Sequence, residues 1–121
     1  MKVATWLMSG ALFACANEAP VMETTLTSAG MHVDVDPAAD QITTDRCNRQ
    51  LSCGNIGKGH RWNDRRHCEI DVRPKVHDII GVSCVSIEAT RLATCLDDIR
   101  DQRCAETVAT PASCEGVQLC R

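Results

Sequence analysis

Cysteine is the residue type with the most chemistry to offer in this 121-residue chain, because thiols form disulfides, bind metals and carry redox reactions. Eight of the nine cysteines are separated from one another by 5, 14, 15, 10, 8, 9 and 5 residues. An even number at such spacings is typical of a four-disulfide framework in an oxidising compartment. We expect that framework to comprise Cys47, Cys53, Cys68, Cys84, Cys95, Cys104, Cys114 and Cys120.

A metal site or a redox site fits this cysteine pattern less well than a disulfide framework does. The closest cysteines have five residues between them, so neither a C-x2-C knuckle nor a thioredoxin-like redox turn is present in the sequence. No H-x3-H pair completes a zinc site either. The sequence therefore predicts no metal and no other cofactor, although four histidines are available: His32, His60, His67 and His77.

Enzyme motifs are also missing from the sequence, which contains no G-x-S-x-G, no H-E-x-x-H and no placed pair of carboxylates. The glycine-rich stretch from Gly54 to His60 resembles a phosphate loop at first sight. Gly59 stands where a Walker A motif needs Ser or Thr after Lys58, so we interpret the stretch as an interhelical turn. We predict a protein without enzymatic activity and without catalytic residues.

A basic segment follows this turn. Residues 58–67 contain four cationic side chains and one carboxylate, Asp64, which gives a net charge of +3. Trp62 and two histidines lie in the same segment. Such a patch could hold a lipid headgroup, a polysaccharide or an acidic partner protein. It could also fold against an acidic part of this chain, or be a solvated surface with Trp62 on the small core. The candidate anion-binding residues are Lys58, Arg61, Arg65 and Arg66.

The first residues have the plan of a secretory signal. Met1 and Lys2 precede a mainly apolar stretch of eleven residues, 3–13, which is too short to span a hydrocarbon core of about 30 Å. The segment from Leu12 to Cys15 resembles the lipobox of bacterial lipoproteins, with Phe13 as a departure, and predicts a signal peptide over 1–14 and acylation of Cys15. The alternative is cleavage after Ala16, because Ala14 and Ala16 have the A-x-A spacing, and this would give a secreted protein without lipid.

Acylation of Cys15 would anchor the protein to a membrane. Membrane lipid would then be one of its partners. The residue after the cysteine is Ala16 and not the Asp typical of inner-membrane retention, so the resemblance favours the outer membrane, on its periplasmic or cell-surface face. Residues 16–46 contain one arginine against six acidic residues, a net charge of −5. We predict a flexible acidic tether over 15–35 and a cysteine-rich domain over 36–121. The mild overall charge of −3 disfavours a nucleic-acid partner.

The elements that position the cysteines are predicted to be helical. Aromatic residues make up only 2% of the chain, so the disulfides must support a small core. We expect an all-α fold, a small disulfide-stapled bundle of about three helices. The predicted helices span 37–53, 63–80 with a kink at Pro74, and 86–103, and residues 105–121 form at most a short helical turn.

Capping signals define the ends of these helices. Asp36, Asn63 and Ser86 are the predicted N-caps, and Gly54 is the glycine that ends the first helix. Apolar spacing predicts a buried face on each helix in turn: Ile42, Cys47 and Leu51; Cys68, Val72, Val76 and Ile79; Val85, Ala89, Leu92, Cys95, Leu96 and Ile99. With the first two helices antiparallel, we predict a Cys53–Cys68 bridge and leave the other pairings open.

Two segments carry a family resemblance. The stretch from Cys47 through Cys53-Gly-Asn-Ile-Gly to Cys68, and Cys95-Leu-Asp-Asp-Ile-Arg with Cys104, resemble a family of small cysteine-rich lipoproteins from Gram-negative soil bacteria. That family is a domain of unknown function, labelled natural-product-biosynthesis lipoprotein. The resemblance covers residues 47 to about 120 and the leader. It implies a disulfide-bonded helical fold and a membrane-anchored address. We expect a palmitate-type anchor, a binding or accessory role linked to natural-product biosynthesis, and an unidentified envelope protein or anionic ligand as partner.

Overall fold

Three helices and four disulfides organise the computed structural model, which describes residues 30–120. The predicted all-α, disulfide-stapled fold is confirmed, with one small two-stranded sheet added to it. None of the helices within this range is long and apolar enough to cross a membrane. The elements are β1 (His32–Asp34), α1 (Val35–Ser52), α2 (Arg65–Ser83), β2 (Ser86–Glu88), α3 (Ala89–Asp101) and α4 (Gly116–Leu119), with 3-10 turns at Cys104–Glu106 and Ala112–Cys114.

Helix α1 begins two residues earlier than the sequence indicated. Its N-cap is Asp34, so the prediction of Asp36 was wrong. Pro37 therefore lies within the first turn, where a missing N–H leaves no hydrogen bond of the helix unmade. The end of the helix agrees with prediction. Gly54 has a φ of 74°, its N–H donates to the carbonyl of Leu51 at 3.0 Å, and the N–H of Asn55 donates to that of Gln50 at 2.9 Å.

Helix α2 is capped by Asp64, so the prediction of Asn63 was wrong by one residue. The Asp64 carboxylate accepts a hydrogen bond from the backbone N–H of His67 at 2.8 Å, which satisfies one of the unpaired donors of the first turn. The helix runs through Pro74. Pro74 lacks an N–H for the carbonyl of Ile70, but both residues are exposed, so water can reach that carbonyl.

The predicted start of α3 is instead a strand. Ser86, our predicted N-cap, pairs with Asp34 in the antiparallel β1–β2 ladder, and Val33 pairs with Ile87. Ile87 is fully buried, and its β-branched side chain is of the type that packs well in strands. The strand β1 and the first residue of α1 also occupy the end of the 15–35 segment that we assigned to the tether. The rest of that segment up to residue 29, with the signal peptide and Cys15, lies outside the described residues.

The core lies where α2 and α3 pack against α1. It holds most of the predicted apolar faces, but three predictions were wrong: Leu51 is 50%, Ile79 is 52% and Val85 is 98% exposed. Ile80 is buried in the place of Ile79, one residue further round α2. The largest fully buried side chains are Ile42, Ile80, Ile87, Ile99, Leu119, Cys47, Cys68 and Cys95.

All eight framework cysteines pair, as expected, but Cys53 does not pair with Cys68. Cys68 bridges Cys47, with their Cα atoms 5.9 Å apart, and Cys53 bridges Cys104. Cys47 and Cys53 are six residues apart on α1, which is about 240° around a helix of 3.6 residues per turn. Only Cys47 therefore faces α2, while Cys53 faces the segment after α3. The other bridges are Cys84–Cys120 and Cys95–Cys114.

Candidate functional site

A cleft of about 450 Å³ opens between α1, the loop before α2, α2 itself and the segment after α3. Its size lies within the range of small-molecule sites. The Cys53–Cys104 bridge joins two of its walls, because Cys104 lines the cleft and Cys53 is the C-cap of α1. The cleft is lined by Arg46, Gln50, Asn55, His60, Arg61, Trp62, Asp71, Val72, Lys75, Cys104, Thr107 and Val108.

One wall of the cleft is a closed network of amide and hydroxyl groups. The Gln50 side chain donates to the Thr107 carbonyl at 2.8 Å, and its oxygen accepts from the Asn55 amide at 2.8 Å and from the Thr107 hydroxyl at 3.1 Å. Gln50 and Thr107 are both buried. Buried polar groups that are satisfied in this way hold their orientation. This wall is therefore rigid.

At the opposite wall, Asp71 on α2 accepts hydrogen bonds from three side chains. Its carboxylate accepts from Lys75 Nζ at 2.7 Å, from Trp62 Nε1 at 3.0 Å and from the Arg61 guanidinium at 3.1 Å. The hydrogen bonds from Lys75 and then Trp62 hold the pKa of Asp71 below its usual value. The Arg61 guanidinium also lies 5.0 Å from the centre of the Trp62 ring, a cation–π distance. The loop before α2 is thus fastened to α2 through one carboxylate.

Arg46 on α1 is the one cation lining the cleft whose side chain forms no hydrogen bond or ion pair with any residue from 30 to 120. Its side chain is partly buried, and this burial lowers the pKa of its guanidinium. Buried charges in proteins are normally paired, because removal from water costs free energy that an opposite charge offsets. Among residues 30–120, the cleft therefore offers one guanidinium that no carboxylate neutralises.

Comparison with known families matches residues 47–121 to the family of unknown function DUF6184. The match covers more than half of the chain and all eight framework cysteines. The chain belongs to DUF6184. The expected membership of a family of unknown function is thereby confirmed. Comparisons with curated proteins and with solved structures find no match.

The four anion-binding residues predicted from the sequence of this DUF6184 chain do not form one site. Arg61 lines the cleft, but Arg65 forms an ion pair with Glu69 at 2.9 Å. Lys58 and Arg66 are exposed and lie outside the cleft lining. The basic segment is thus split between the cleft and a solvated surface.

Two cations that line the cleft, Lys75 and Arg46, were not among the residues predicted from the sequence. Lys75 could have been found through its i,i+4 spacing from Asp71, a pairing typical of helices. Arg46 gave no such signal, since its position relative to the basic loop depends on how α1 packs. It lies directly before the stretch that matches DUF6184. Within residues 30–120, no cluster of His, Cys, Asp or Glu could hold a metal ion.

Proposed function

We propose that this DUF6184 chain is a non-enzymatic lipoprotein of the cell envelope, anchored through an acylated Cys15, with a binding or accessory role. The observation that carries the proposal is the pairing of the eight cysteines of the domain among themselves. It leaves Cys15, the ninth, available for other chemistry. Four disulfides also favour an oxidising compartment such as the periplasm or the cell surface.

The leader supports the lipid anchor. Leu12, Ala14 and Cys15 occupy lipobox positions after an apolar stretch, and a multiply acylated Cys15 would bury its chains in the membrane at about 0.8 kcal/mol per CH2. Two or more chains make such anchoring stable. Ala16 favours transport to the outer membrane. The proposed partners are membrane lipid and an envelope protein or anionic ligand.

A binding role is supported by the chemistry of the cleft. Asp71 is held in its charged form by Lys75 and Trp62, which makes it a weak general base. Arg46, Arg61 and Lys75 are groups that recognise anions. A connection to natural-product biosynthesis rests on the family resemblance alone, and we propose it as the setting in which the binding takes place.

The test is metabolic labelling with an alkyne-bearing palmitate analogue, followed by membrane fractionation. The wild-type chain should take up label and sediment with outer membranes, while Cys15→Ser should do neither. Ala16→Ser alters the neighbouring position and keeps the thiol, so it serves as the matched control and should retain the label. Unlabelled wild-type protein in the soluble fraction would contradict the anchor.

The alternative candidate is a secreted disulfide-rich binding or inhibitor-like module without lipid. It is favoured by Ala14 and Ala16, which have the spacing read by ordinary signal peptidase. Intact mass distinguishes the two proteins. An acylated N-terminus at Cys15 supports the lipoprotein, whereas an unmodified N-terminus at Asn17 supports the secreted module.

A further inference from the structure

The charges in the cleft do not balance. Arg46, Arg61 and Lys75 face a single carboxylate, Asp71, so these four side chains carry a net charge of +2. Arg61 and Lys75 share Asp71, while Arg46 has no acidic partner in the described part of the chain. An incoming anion would therefore find unmet positive charge in a concave, partly desolvated site, where electrostatic attraction is stronger than in bulk water.

Arg46 is positioned for recognition by its neighbours on α1. It lies four residues before Gln50, so both side chains project from the same side of the helix into the cleft. The Gln50 amide is fixed by Thr107 and Asn55, so Arg46 shares the cleft lining with a polar group of settled orientation. A planar guanidinium can bind two oxygens of one carboxylate or phosphoryl group at once.

The same cleft also has an apolar part. Trp62 is half-buried against the core, Val72 is 8% exposed, and Val108 is 85% exposed at the cleft rim. An exposed valine and an indole that line one cleft give surface that an apolar body can cover. A bare inorganic ion would leave this surface in water. The ligand that uses the whole cleft therefore combines an anionic head with an apolar body.

We propose that the cleft binds a small organic oxyanion whose carboxylate or phosphoryl group is held by Arg46 and whose apolar body packs on Trp62 and Val108. The proposal rests on the binding role proposed above and is independent of the anchor at Cys15. It specifies the class of ligand and makes Arg46 the residue that decides recognition. Lys75 and Arg61 contribute positive charge from the opposite wall while remaining bound to Asp71.

The test follows Trp62 fluorescence in the oxidised chain expressed from its full-length gene. The chain has two tryptophans, so Trp6→Phe leaves Trp62 as the single reporter whether or not the leader is removed. The probes are 3-phenylpropionate, 2-phenylethyl phosphate, the neutral 3-phenylpropanamide, and inorganic phosphate or acetate alone. At least one aromatic anion should bind about tenfold or more tightly than the amide, because a charged hydrogen bond is lost with the neutral probe. Whichever of the two binds more tightly identifies the anionic head.

Substitutions of Arg46 test whether the anionic head binds to this side chain. Arg46→Gln should weaken binding of the aromatic anion by about tenfold or more, and Arg46→Lys should lie between, because it keeps the charge and loses the planar fork. Arg66→Gln is the matched control, since Arg66 is an exposed arginine outside the cleft lining, and it should bind like wild type. Unchanged melting temperatures or near-ultraviolet circular dichroism will show that the Arg46 variants remain folded.

Several results would overturn the proposal. If the neutral amide binds as tightly as the aromatic anions, the ligand does not need an anionic head. If bare phosphate or acetate binds equally well, the ligand does not need an apolar body. If Arg46→Gln binds like wild type, Arg46 does not hold the ligand. If the probes bind only to the double variant Glu18→Gln/Glu23→Gln, the acidic segment of this chain, and not a separate ligand, occupies the cleft of the wild type. Acylation and fractionation are measured separately, so loss of probe binding with an intact anchor overturns the ligand class alone.

Discussion

The Trp62 indole donates a hydrogen bond from Nε1 to the Asp71 carboxylate at 3.0 Å. This bond joins the loop before α2 to the second turn of that helix, and the same loop is held at its base by a hydrogen bond from the Gly57 N–H to the Trp62 carbonyl at 2.9 Å. Both the indole and the backbone of Trp62 are therefore fixed. The Asp71 carboxylate therefore helps to hold the ring in the cleft.

We predict that Asp71 makes the stability of the domain depend on pH in the acid range. Because its pKa is lowered on folding, chiefly by Lys75 and then Trp62, its stabilising contribution is complete above its ordinary value of 3.8. That contribution is lost as the pH falls through the lower value of the folded protein. Urea unfolding at pH 7, 4 and 2.5 should therefore show the wild type losing its advantage over Asp71→Asn at the lowest pH.

The control for this experiment is Asp101→Asn, since the Asp101 carboxylate makes no ion pair with another residue of the described chain. A constant difference between wild type and Asp71→Asn across all three pH values would contradict the predicted role of Asp71.

We predict that tryptic digestion without reduction will release residues 47–49 joined to residues 67–75. These peptides contain Cys47 and Cys68, which are bridged in the structure. Cleavage after Arg49 separates Cys47 from Cys53, so mass spectrometry distinguishes this pairing from a Cys53–Cys68 bridge. Recovery of residues 50–58 joined to residues 67–75 would show that the pairing is different.

We predict that removing the Cys53–Cys104 bridge in a double Cys→Ala variant lowers the free energy of unfolding by about 4 kcal/mol. The bridge joins residues 51 positions apart, so its loss releases a long loop in the unfolded chain. Cys104 is exposed, and its replacement therefore leaves no cavity in the core. Probe affinity should also fall, because this bridge holds two cleft walls together. Urea unfolding measures the first effect, and Trp62 fluorescence measures the second.

Two glycines should respond oppositely to alanine. A Cβ on Gly116 would lie 2.5 Å from Ser83 Oγ and 2.6 Å from Ser83 Cβ, so Gly116→Ala should destabilise the domain by about 1–3 kcal/mol. Gly81 is within α2 and a Cβ there would meet nothing closer than 3.9 Å, so Gly81→Ala should stabilise it by about 0.5–1 kcal/mol. Thermal unfolding measures both. Partial rescue of Gly116→Ala by Ser83→Gly would identify the clash, and an unaltered melting temperature in Gly116→Ala would contradict it.

Arg46→Met should raise the free energy of unfolding, on the order of 1 kcal/mol, while it removes binding of the anionic probe. The reason is that burial lowers the pKa of Arg46, and none of the described residues offers a carboxylate in return. Methionine keeps the apolar part of the side chain. Chemical unfolding without ligand is the measurement. Arg66→Met, at an exposed position, should change stability by less than about 0.5 kcal/mol, and a clear loss of stability in Arg46→Met would show that Arg46 supports the fold.

Local chemistry made much of this fold predictable from the sequence. The eight cysteines from Cys47 to Cys120 indicated the framework, and the spacing of Leu92, Cys95 and Ile99 identified the buried face of α3. Gly54 ended α1 as predicted, because a positive φ at the end of a helix favours glycine. The helix face and the helix end depend on residues within a few positions of one another, and the framework depends only on the number of cysteines.

The tertiary structure alone decided the features that join distant segments. The bridge between Cys53 and Cys104 and the pairing of β1 with β2 both depend on how the helices pack, and so does the isolation of Arg46 from any carboxylate among residues 30–120. Such contacts join residues about 50 or more positions apart or set the surroundings of a single side chain. Many chain paths satisfy the same local preferences, so those preferences do not specify which path brings these residues together.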